Sequence, residues 1–139
     1  DAFLTPEILD KHRIPFYTDV DTGLMTLNAL KTEILPFTYI VAGHGEIYAS
    51  TEQTGRAIDY TCQRLESILE QIHTALASGE ARPAADLLQA VATAQGLQIE
   101  ALPQYVLTHT TIQSALSTLY TRGEICPQFQ NNSLLWRLM

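Results

Sequence analysis

One stripe of side chains constrains this chain more than any other feature. Ile58, Cys62, Leu65, Leu69, Ile72 and Leu76 recur at three- and four-residue spacing over about five turns, the period of one buried helix face. Ser50-Thr51-Glu52-Gln53 offers capping residues just ahead of it, and Gly79 closes it. A helix this long, apolar along one side, needs partners to cover it, so the rest of the chain must supply a packed layer.

A short helical turn and three further helices are predicted. Glu7 to Asp10 forms a short turn with Pro6 at its first position. Asp21 is the expected N-cap of a helix carrying Leu24, Leu27, Leu30 and Ile34, stopped by Pro36. Residues 84–95 carry Leu87, Leu88, Val91 and Ala94 inward, with Gly96 as C′. Leu102 to Leu107 reads as irregular or as a short strand. A last helix runs from Thr110 to Arg122 with Ile112, Leu116 and Leu119 on one face, closed by Gly123.

Two regions read as strands. Phe37 to Ala42 is short, aromatic and β-branched, and is expected to be buried. Glu124-Ile125-Cys126 and Leu134 to Leu138 form a pair joined by a turn at Asn131-Asn132, since Asn tolerates positive φ. Helix, turn, helix, hairpin is the order of a winged-helix-like unit. The class is α+β, with a boundary near Gly79 to Pro83. Charge divides with it: residues 1–79 hold eleven acids against five Lys/Arg, net −6, and residues 80–139 four against three, net −1.

Composition excludes several functions. The chain has 139 residues, 46% hydrophobic and 17% charged, which fits a folded domain rather than a disordered one. Its net charge of −7 disfavours nucleic acid and anionic membranes, and no apolar run is long enough to span a bilayer. The hairpin's tip, Pro127 to Ser133, has no Lys or Arg to grip a phosphate. Cys62 and Cys126 cannot build a zinc cage alone and read as reduced thiols of a cytoplasmic protein. HExxH, CxxC, GxSxG, the P-loop and GxGxxG are all absent.

His44 is the residue that points to chemistry. It stands between Gly43 and Gly45, past an apolar strand and before a helix, where open α/β folds place ligands. Imidazole is a common zinc ligand. The plainer alternative is an exposed His in a glycine turn. Asp1, Asp10, Asp19 and Asp21 are carboxylates able to ligate a metal or act as a base. Asp21 is otherwise explained as a cap, Asp10 as a solvated helix charge and Asp19 as a loop charge. His73 is expected on the surface, and His109 near the start of the last helix.

Ile40-Val41-Ala42-Gly43-His44-Gly45-Glu46 resembles the strand–Gly-His-Gly segment of metallo-β-lactamase-fold hydrolases, the glyoxalase II-like superfamily. The amphipathic helix before it, the long helix after it, and the Thr-Ile-x-x-x-Leu-x-x-Leu-x-x-x-Gly-x-Ile run with a late Trp follow the order of a branch bearing a winged-helix-like C-terminal domain. The resemblance implies that residues 1–79 are the C-terminal half of an αββα catalytic domain and residues 80–139 the appended domain. It makes His44 a metal ligand and Asp1 the carboxylate bridging two metals, with Gly43 and Gly45 framing the histidine.

The family's HxHxDH run is absent from this sequence. The resemblance therefore implies a C-terminal fragment, inactive alone, of an enzyme that hydrolyses a thioester, lactone or phosphoester with zinc, iron or manganese. The expected partner is the N-terminal half, or a second copy joined through the open strand edge at Phe37 to Ala42. The alternative is a winged-helix-like module that binds protein or nucleic acid without catalysis.

Overall fold

The computed structural model describes residues 2–33, 40–41, 43–44 and 47–139. Asp1, Gly45 and most of the strand expected at Phe37 to Ala42 lie outside the described residues.

The long stripe folds as predicted. Helix α3 runs Thr51–Leu76, with Ser50 as its N-cap accepting a hydrogen bond from the Gln53 amide. All six stripe residues are buried. Thr54, Ala57, Thr61 and Ile68 widen the face, so several helices can share it. Helices α1 (Pro6–His12) and α2 (Val20–Glu33) cover one part, while α4 (Ala84–Ala94) and α5 (Leu102–Thr121) cover another. One contiguous core results, from Phe3 through the α3 stripe to Trp136.

Two small antiparallel sheets complete the α+β architecture among the described residues. Strand β1 (Ile40–Val41) pairs with β2 (Ile47–Tyr48), bringing the chain back on either side of His44. Within β1, Val41 is exposed, so the expectation of a buried strand fails at that position: its side chain faces away from α3 while Ile40 packs against the core. Strands β3 (Ile125–Gln130) and β4 (Ser133–Leu138) form the predicted hairpin, with Asn131 and Asn132 at φ 50° and 61°. The backbone of Arg82, in the connector before α4, pairs with Trp136 through two hydrogen bonds of 2.9 and 2.8 Å, closing the outer edge of β4.

Several local expectations need correction. The cap of α2 is Asp19, not Asp21: its carboxylate accepts from the Thr22 amide at 2.9 Å and the Thr22 hydroxyl at 2.8 Å. The amide donor, with the hydroxyl second, holds the Asp19 carboxyl below its ordinary pKa. Asp21 sits in the first turn and pairs with Arg122, the C-cap of α5, at 2.9 Å. In α4 the inward alanines are Ala84 and Ala92, and Ala94 is exposed. Leu102 to Leu107 is helical, not irregular. With Pro103 in its first turn, α5 begins eight residues earlier than Thr110, which leaves His109 well inside the helix. His73 is exposed as expected.

Candidate functional site

His44 opens onto a cavity of about 810 Å³, the volume of a small-molecule site. Three parts of the chain make its walls. Helix α1 contributes Ile8, Lys11 and His12, the following segment Ile14 to Tyr17, and the first turns of α5 residues from Ala101 to Thr108. Gly43 and His44 are both exposed, at the turn between β1 and β2.

The segment through Tyr17 is the floor, and α5 holds it. The Thr111 hydroxyl accepts from the Tyr17 amide at 3.0 Å and donates to the Pro15 carbonyl at 2.8 Å. One turn on, the Ser114 hydroxyl accepts from the Val20 amide at 2.7 Å. The Tyr17 hydroxyl donates to the Ala2 carbonyl at 2.7 Å. Its ring lies against Gly23 of α2, where an added Cβ would sit 2.7 Å from the ring edge. Glycine inside a helix costs about 0.5–1 kcal/mol against alanine; here it makes room for the tyrosine.

Burial, with the neighbouring Cys62 second, pushes the Tyr17 phenol up from 10.0 to about 12. Cys62 is itself pushed up, by burial first and Glu66 next. A phenol whose folded pKa lies above its unfolded value binds its proton more tightly when folded. Its contribution is intact below pH 10 and is lost as pH rises from 10 toward about 12. Urea midpoints measured across that range should fall, and Tyr17→Phe should flatten the fall. An equal fall in the variant would assign the loss to other groups.

A second network fixes α1. The Asp10 carboxylate accepts from the Tyr60 hydroxyl at 2.6 Å and from Arg64 at 3.2 Å, and Arg64 also donates to the Gln95 side-chain carbonyl at 2.7 Å. Asp10 is therefore no merely solvated charge. It ties the helix that carries Lys11 and His12 to α3 and α4. Sequence reasoning missed this because its members lie as far as 85 residues apart. His12, which no short motif marks, lines the cavity with His44.

The donor set is chemically suited to a metal but incomplete. Among the described residues no group of three or more His, Cys, Asp or Glu side chains is placed to hold an ion. His44 supplies one imidazole, and the carboxylate expected beside it, Asp1, lies outside the described residues. A full catalytic zinc site takes three protein ligands. The remaining donors would have to come from outside the described residues.

No protein-family model matches this chain, and no curated protein matches it. In structure it is similar to a beta-lactamase domain protein from Burkholderia ambifaria, with a TM-score of 0.73 and 15% sequence identity over 86% of this chain. The chain spans 33% of that protein's chain. The shared feature is the fold. No helix among the described residues is long and apolar enough to cross a membrane.

Proposed function

We propose that this chain is the C-terminal portion of a metal-dependent hydrolase of the metallo-β-lactamase type, with residues 1–79 completing its catalytic domain and residues 80–139 forming a winged-helix-like unit. The observation that carries this reading is the place of His44 among the residues lining a large cavity. The fold likeness, which takes in only a third of the neighbouring protein, supports it. In this reading His44 is a metal ligand and Asp1 the bridging carboxylate, with the other donors supplied by an N-terminal half. When bound, a zinc, iron or manganese centre supplies a water of lowered pKa. The chain's own part is to aim the His44 imidazole from a turn tied down by β1 and β2, and to wall the substrate with α1 and α5. A cytoplasmic location belongs to the same proposal.

The test is metal content by plasma emission on the longest polypeptide from this gene, with and without His44→Ala. Loss of at least one ion per chain is expected, because one lost protein ligand commonly breaks a site of three. Unchanged metal content overturns the reading. A second reading, a protein-interaction module in residues 80–139, is favoured by Phe129, 76% exposed at an uncharged hairpin tip.

A further inference from the structure

We infer that the cavity beside His44 binds a small amphipathic anion: an apolar acyl chain ending in a single negatively charged group. This deepens the hydrolase reading, on which it rests for its biological meaning, by naming what the cavity takes.

The walls argue for the chain. Ile8, Phe16 and Leu107 line the cavity on different sides. Phe16 and Leu107 are each about half exposed. Apolar walls with a few placed polar groups are the usual make-up of a small-molecule site. The uncharged polar side chains of the lining already make bonds within the protein. Gln104 accepts from the Glu100 amide, Thr108 donates to carbonyls of its own helix, and the Tyr17 hydroxyl donates to Ala2. A ligand with many polar groups would find few partners there.

Charge argues for the anion. The chain carries fifteen acids and eight Lys/Arg, yet no described residue lining this cavity is acidic. Lys11 and His12 stand on one wall and His44 on another. Asp10, next to Lys11, is turned away toward Arg64 and Tyr60, and Glu7 and Glu100, each one residue from a lining residue, are not themselves part of the wall. A single anionic head is attracted to this wall, while the acidic surface elsewhere repels it.

Titration of the metal-free 139-residue chain with octanoate, octanol and acetate, read by calorimetry and amide chemical shifts, tests this. Octanoate is expected to bind at least about tenfold more tightly than either comparator, since one lacks the charge and the other the apolar body. Shifts should cluster on α1, residues 14–17 and the start of α5. Leu107→Asp should weaken octanoate about tenfold or more, and Lys11→Glu should weaken octanoate while leaving octanol unchanged. Both residues are exposed, and circular dichroism checks the fold; Phe16→Ser serves if Leu107→Asp unfolds.

Equal binding of octanoate and octanol overturns the anionic head. Absence of octanoate binding, or binding indifferent to Leu107→Asp and Phe16→Ser, overturns the site. Neither result touches the metal content on which the hydrolase reading is judged, and a failed metal test leaves octanoate binding standing.

Discussion

Replacing Thr111 by valine and Ser114 by alanine together is expected to lower the free energy of unfolding by about 2–6 kcal/mol, because two buried amides lose their acceptors at about 1–3 kcal/mol each. The amides are those of Tyr17 and Val20, and the Pro15 carbonyl loses its donor as well. Valine matches threonine in shape, so the first change deletes hydrogen bonding with little change in packing. Urea unfolding at constant m-value is the measurement. Thr110→Val is the control: its hydroxyl bonds only to the Val106 carbonyl of its own helix, and its effect should stay within about 0.5 kcal/mol. A double variant that loses less than about 1 kcal/mol would show that water replaces both hydroxyls, and that the floor of the cavity is not held by α5.

Leu65→Ala is expected to cost about 2–5 kcal/mol, as transfer free energy and as a cavity that rigid neighbours fill poorly. Leu65 is fully buried at the middle of α3, where helices from both ends of the sequence meet. Leu102→Ala is the matched contrast. The same atoms are removed from a residue 74% exposed on α5, and the change should stay within about 0.5 kcal/mol. Comparable losses from the two would mean that the first turn of α5 is buried in solution, by a second copy or another chain.

That contrast also marks where sequence reasoning succeeds. The α3 stripe, the Gly96 and Gly123 helix ends and the Asn131-Asn132 turn were legible, because period and positive φ are local properties. The start of α5 was not. Leu102, Tyr105, Val106 and Leu107 are all exposed, so they form no inward stripe, and without one the helix resembles a loop on paper. The cap of α2 was misplaced by two residues because Asp19 and Asp21 are both acceptable caps, and only the Thr22 geometry chooses between them. His44 was singled out from its glycines. Its neighbours in the cavity, His12 and Leu107, are brought there by long-range packing that no spacing rule reports.

The bonds that hold Pro15, Tyr17 and Val20 reach across 94 to 96 residues of chain. During synthesis, at about 5–20 residues per second, that distance is a delay of roughly 5–20 s. Through that interval Phe16, Tyr17 and Val20 have no α5 to rest on, although α2, α3 and α4 are made before it ends. The α5 wall of the cavity is thus made after α1 to α4, with only the β3–β4 hairpin to follow, and until then the nascent chain is most open to a chaperone, or to a like chain beside it, at the segment that α5 later holds.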